Sequence, residues 1–163
     1  IIQYGILILV LLLGVGIRIY QIAYPPLDFH PTRQLRGAII ARGLYYQLQP
    51  FADVEKQQLG IGLADQAQRE VYEPPILEGL AALSYVILGS EQVWIVRIWN
   101  ALFWMIGGLA LFAILRRYFS FPTVLTCLAF FLFLPLGIYV SRSFQPEAIM
   151  VMWVLPPERR KGP

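Results

Sequence analysis

Asp28, His30, Arg33 and Arg36 fall within nine residues, "DFHPTRQLR". These are a carboxylate that can take a proton, an imidazole that can ligate a metal, and two guanidiniums shaped for phosphate. A residue before proline is pushed toward extended geometry, where positions i and i+2 project to one side. His30, before Pro31, is therefore expected to be extended, with Asp28 and His30 facing one ligand. Either the two begin a divalent-metal site, or Asp28 is a base with His30 beside it. An Asp-x-His-Pro at a helix start is also an ordinary cap, and a metal needs further ligands. Three more ionisable groups belong with them: Glu73, ahead of "PPILEG", and Arg142 and Glu147 in "SRSFQPE". Taken singly, the arginines read as contacts to lipid phosphate and the acids as a solvated loop. Their convergence on one face of a membrane is what raises a functional reading.

The membrane itself follows from composition. Of 163 residues, 58% are hydrophobic, 14% aromatic and only 14% charged, far from a soluble domain and typical of an integral membrane protein. The net charge of +3 does not point to nucleic acid, because the basic residues are scattered and sit mostly at the ends of apolar segments. Membrane lipids and the positive-inside rule account for them, and no nucleic-acid partner is expected. Cys127, the single cysteine, lies inside an apolar run and supports neither a disulfide framework nor a zinc cluster.

Apolar runs predict spans over about 1–19, 93–115 and 122–140, with a partial fourth over 148–155, in one transmembrane domain. A cleaved signal peptide competes for the first run, but no basic region precedes it and no small-residue cleavage site follows. The segment 21–92 carries eight acidic and five basic side chains, and a connection this long usually has a function. Pro31 suits the first turn of a helix running to about Gln49, with Leu35, Ile39, Arg42 and Tyr46 on one stripe and Arg33 and Arg36 one turn apart. That helix is expected to lie along the interface. "PPILEGLAALSYVILG" is too short to cross once Glu78 interrupts it, and reads as a helix half-sunk in the outer face. Gly107, Gly108 and Ala110 are expected to let a neighbouring helix approach closely. If Arg116 and Arg117 are cytoplasmic, the 21–92 loop and "SRSFQPE" share the outer side. The fold class is thus all-α: a multi-span helical bundle with a large extracytoplasmic first loop containing interfacial helices. The chain opens with Ile1 and its last apolar segment stops after Leu155, so a fragment is expected, or a shifted frame at the C-terminus.

In three stretches, "RIYQIAYPPLDFHPTRQLRGAIIARGLYY", "YEPPILEGLAALSYVILGSEQVWIVRIWNALF" and "SRSFQPEAIMVMW", the chain resembles the GT-C superfamily of membrane glycosyltransferases. In particular it resembles the bacterial relatives of protein O-mannosyltransferases and of the aminoarabinose transferase that modifies lipid A. The resemblance covers nearly all of the chain and corresponds to the N-terminal part of such an enzyme. It implies a polyprenyl-phosphate-linked sugar as donor, a lipid, glycan or protein as acceptor, and a place in a bacterial inner membrane with the active-site loop extracytoplasmic. It also implies that Asp28 is the catalytic base, Glu147 the second acidic position and Arg142 the basic residue before it. Two departures stand out. Many members carry a second acid where this chain has Phe29 and His30, and aminoarabinose transferases typically have lysine where this chain has Glu73.

The residue types fit that chemistry independently of the family. A sugar leaving from a phosphate needs cations or a metal to hold the departing charge and hardly needs a general acid. Asp28 would take the acceptor proton, giving inversion, while Arg33, Arg36 or Arg142 would hold the phosphate, with His30 and Glu73 in support. A hydrolase would want two carboxylates flanking the sugar, and no such pair is evident. Two alternatives are a transporter or lipid-binding subunit and an inactive truncated fragment of the enzyme. Transporters place charges within their spans and show paired repeats, whereas here the charges collect in one loop. Arg97 is the nearest exception, close enough to the start of its span to snorkel or to meet Glu91.

Overall fold

A computed structural model describes residues 2–27, 30–49, 53–69 and 73–154, and every regular element among them is an α-helix. In chain order these are α1 (Ile2–Ile19), α2 (Pro31–Leu48), α3 (Val54–Arg69), α4 (Ile76–Leu88), α5 (Val93–Leu115), α6 (Phe121–Phe133), α7 (Pro135–Arg142) and α8 (Glu147–Val154). Two of them, α1 and α5, are long and apolar enough to cross a membrane. The third expected span is broken: α6 and α7 meet at a 56° bend. The cause is Pro135, which has no N–H for the carbonyl four residues earlier and whose ring clashes with it. The multi-pass all-α reading therefore holds, with the third span kinked rather than straight. Residues 155–163 lie outside the described residues, and with them the expected end of the fourth span.

The helices fall into two compact units, one of Ile1–Ile22, Ile98–Arg142 and Pro146–Pro163, the other of Ala23–Arg97 and Ser143–Gln145. In the first, hereafter the membrane unit, glycines set the packing. A Cβ on Gly107 would lie 3.1 Å from Val151, and one on Gly108 would lie 3.3 Å from Leu132 and Phe131, so α5 approaches α8 and α6 through its glycine pair as expected. Most of α1 is exposed, with Gly14 and Arg18 its only buried described residues, which suits a helix facing lipid.

In the second, the loop unit, α2 is the central element and packs on both α3 and α4. Its buried positions are Gln34, Gly37, Ile40, Ala41 and Gly43. The expected apolar stripe is not the buried one: Leu35 and Ile39 stay exposed along the α2–α3 groove. Small residues outrank large ones there because the helices nearly touch. A Cβ on Gly43 would fall 2.1 Å from the Ala64 Cβ, and one on Gly60 would fall 2.5 Å from the Tyr46 ring. Helix α4 is short and apolar, as expected of a half-sunk segment, and ends at Gly89, whose φ of 63° suits glycine. Helix α3 was hidden in the sequence within the polar loop.

Candidate active site

Helix α2 starts where Pro31 predicts, at a position whose missing N–H costs the helix nothing. His30 is its N-cap, but with φ 52° and ψ 63° it is left-handed, not extended. The expectation that His30 shares one side of an extended strand with Asp28 is therefore corrected. The steric effect of Pro31 is a bias and not a prohibition, and earlier in the segment the chain also turns, with Leu27 N–H bonding Pro25 O (2.9 Å). A positive φ on a non-glycine residue costs on the order of 1–3 kcal/mol and is tolerated where surrounding structure imposes it. The His30 side chain makes no capping hydrogen bond, while its carbonyl accepts from the Arg33 and Gln34 amides (3.1 and 3.2 Å). Asp28, the expected base, lies outside the described residues.

One turn into α2, Arg33 Nη2 donates to both carboxylate oxygens of Glu73 (3.0 and 3.2 Å). Both partners are substantially exposed, so the pair adds little stability, but it joins two residues expected from the sequence to act together. Glu73 is held in turn by α3, where Gln68 Nε2 donates to its backbone carbonyl (3.3 Å). Glu78, in the first turn of α4, faces the same part of α2: its Oε1 lies 3.4 Å from where a Gly37 Cβ would stand. Burial pushes the Glu78 carboxyl above the usual carboxylate range, and the charge of Glu73 adds to this. Its own backbone amide and Arg33 pull the other way. The sequence reading treated Glu78 only as an interruption. Its signal was an acid one turn past a double proline on an otherwise apolar helix.

Gln34 is fully buried on the neighbouring face, and its Oε1 accepts the Phe144 N–H (3.1 Å). The Phe144 ring lies 3.2 Å from the position of a Gly37 Cβ, so a side chain there would press on the ring. The three stretches singled out from the sequence thus each place residues in the loop unit: Arg33 and Gln34, Glu73 and Glu78, and Phe144. Arg36, one turn further along α2, lines an α2–α3 groove of about 490 Å³ with Thr32, Leu35, Ile39, Leu63 and Gln66. At the far end of α2, Glu91 accepts from Arg42 Nε (2.6 Å) and from the Tyr46 hydroxyl (3.0 Å). Arg97 is buried rather than snorkelling. Arg97 is 3% exposed and donates from Nη1 to Tyr24 O (2.6 Å).

Arg142 and Glu147 belong to the membrane unit. Arg142 ends α7, as expected of the residue closing the third span, and its Nη2 donates to Tyr20 O just beyond α1. Glu147 opens α8, where a carboxylate suits the positive end of the helix dipole. Among the described residues no group of three or more His, Cys, Asp or Glu side chains could hold a metal ion. Asp28, the expected partner of His30 in such a site, lies outside the described residues.

A family model, dolichyl-phosphate-mannose-protein mannosyltransferase, matches residues 72–156, more than half of the chain. The match takes in Glu73, Glu78, Arg142 and Glu147. No curated protein and no solved structure gives a significant match.

Proposed function

The chain belongs to the dolichyl-phosphate-mannose-protein mannosyltransferase family, of the GT-C type of membrane glycosyltransferases, and from that premise we propose that it moves a sugar from a polyprenyl-phosphate donor to an extracytoplasmic acceptor. The observation that carries this reading is the Arg33–Glu73 pair at the start of α2, where a segment outside the family match meets the first residues of the match. A guanidinium in the first turn of a helix, where amides point outward and the dipole is positive, is suited to a phosphate.

In the proposed reaction Asp28 removes the proton from an acceptor hydroxyl as that oxygen attacks the anomeric carbon. The new glycosidic C–O bond forms as the bond from the anomeric carbon to the donor phosphate oxygen breaks, with inversion. The electron pair leaves on the phosphate, which is stable as an anion and needs no proton from a general acid. Arg33 and Arg36 meet that charge from α2. Glu73 holds the Arg33 guanidinium until the phosphate competes for it, and an exposed pair is weak enough to be displaced. By resemblance, Arg142 is also assigned to donor phosphate and Glu147 to the second acidic position, with His30 in a supporting place at the cap of α2. The acceptor is a lipid, glycan or protein hydroxyl, and the membrane is proposed to be a bacterial inner membrane with the loop unit outside.

The reading is tested by incubating membranes that carry the chain with a radiolabelled polyprenyl-phosphate sugar and following label into acceptor. Incorporation above that of membranes without the chain is expected. Incorporation from a nucleotide sugar but not from the polyprenyl-phosphate donor would overturn the donor assignment.

A further inference from the structure

Arg18 is the one charged residue within α1, and it is fully buried. A guanidinium within a spanning helix is costly unless its donors are used. Arg18 Nη1 donates to Gly14 O (2.7 Å), one turn back in the same helix. Its Nη2 reaches across to α6 and donates to Leu132 O (3.0 Å). No carboxylate takes part in either bond.

Leu132 O is one of three carbonyls, with Phe131 O and Phe133 O, whose ladder donor is lost at the bend. Pro135 cannot bond Phe131 O, Leu134 N–H returns to Phe130 O (3.0 Å), and the ladder resumes only with Ile138 N–H to Leu134 O (3.0 Å). The inside of the elbow is filled by Trp104. Its ring stacks on Phe131 at 4.9 Å and 14°, and a Cβ on Gly137 would lie 2.9 Å from it. The Arg18 guanidinium carbon lies 6.0 Å from the centroid of the same indole. Gly14 lets α1 come close enough for this, since a Cβ there would already be 3.2 Å from Leu132. One cation therefore touches α1, the last turn of α6 and the α5 ring that wedges the elbow open. Helix α7 leaves that elbow and ends at Arg142, whose guanidinium bonds Tyr20 O.

We infer that Arg18 is a positioning residue for Arg142: by bonding Leu132 O and roofing Trp104 it fixes the α6–α7 bend, and with it the direction in which α7 presents Arg142. The inference rests on the proposed role of Arg142 toward donor phosphate. Two variants of the full chain test it. Arg18→Met keeps the length but removes both carbonyl bonds; Arg18→Lys keeps the charge and can restore one.

In the transfer assay Arg18→Met is expected to raise the donor KM about tenfold with kcat within about twofold, and Arg18→Lys to recover most of the KM. Independently of activity, spin labels on Tyr20→Cys and Tyr139→Cys, in a Cys127→Ser background, report the bend. Straightening it would move Tyr139, about 6 Å along α7 from Pro135, by about 6 Å. A distance unchanged by Arg18→Met would overturn the clamp. A changed distance with an unmoved KM would overturn the link to Arg142. If the unsubstituted chain transfers nothing from any polyprenyl-phosphate donor, the proposed function fails, and the spin-label distance still decides the clamp.

Discussion

Substituting alanine for Gly43 should have opposite effects in the isolated helix and in the protein. In a helix alone, Gly→Ala stabilises by about 1 kcal/mol, because alanine loses less backbone freedom on ordering. In the loop unit the added methyl would stand 2.1 Å from the Ala64 Cβ and 2.9 Å from Gly60 O. Carbon pairs rest at about 3.5–4.0 Å, so α3 would have to retreat by roughly 1.5 Å. Neither obstacle is a flexible side-chain end that could swing aside. Overpacking of this kind costs about 1–3 kcal/mol, which meets or exceeds the propensity gain. Gly62 is the control: it lies in α3 with nothing within 4 Å of its would-be Cβ, so Gly62→Ala keeps the propensity gain and carries no clash. The assay is thermal unfolding in detergent, with limited proteolysis of α3 as a local readout. Gly43→Ala should lower the midpoint and speed cleavage within 54–69, while Gly62→Ala should raise the midpoint. Equal behaviour of the two variants would refute the reasoning, since it would mean that α2 and α3 do not pack through Gly43.

The Arg33–Glu73 pair separates a structural from a ligand-binding role: Arg33→Gln should raise the donor KM about tenfold, whereas Glu73→Gln should leave it equal or lower, and both should change stability by less than about 1 kcal/mol. A matched loss in the two variants would mean that the pair matters only as a pair. Because burial raises the folded-state pKa of Glu78, the folded protein holds its proton more tightly than the unfolded chain, so this group's contribution is most favourable at low pH and declines as pH rises from the ordinary carboxylate value through the folded one. Glu78→Gln should therefore raise the unfolding midpoint at pH 7–8 and leave it nearly unchanged at pH 4; the reverse pattern would show that the carboxylate is the favoured form. For topology, a cysteine at Asp65 should react with a membrane-impermeant reagent from outside and one at Tyr118, next to Arg117, should not; reversed labelling would overturn the sidedness assumed for the loop.

Where a single physical cause dominates, the sequence was enough. The run 93–115 is one continuous helix because it holds no proline and its one charge, Arg97, lies near its start, and Pro31 starts α2 because a missing N–H is harmless only there. The bend at Pro135 escaped because its flanks, Leu134 and Leu136, keep the run apolar, and hydropathy does not register a lost hydrogen bond. Helix α3 escaped because Val54–Arg69 is largely polar and contains two glycines, which lower helix propensity, although one of them, Gly60, allows the close approach to α2. His30 failed for a different reason: the rule for a residue before proline is a bias, and the N-cap of α2 is left-handed against it. Arg18 read as the polar edge of a span, whereas its Nη1 and Nη2 donate inside the bundle, Nη2 to a carbonyl at the bend made by a proline 117 residues further along the chain. Of the candidate site, the pairing of Arg33 with Glu73 was within reach, because both were already assigned to one side. Glu78 and Gln34 were not, because their importance lies in burial against α2, which only packing reveals.

The central claim, a polyprenyl-phosphate-dependent transfer with Asp28 as base, is tested most directly by Asp28→Asn in the full chain, with membrane insertion checked in parallel. A positioned general base contributes about 10²–10⁴-fold, so transfer from the labelled donor should fall by at least about 100-fold while the protein remains in the membrane at its usual level. Undiminished transfer by Asp28→Asn would contradict the account.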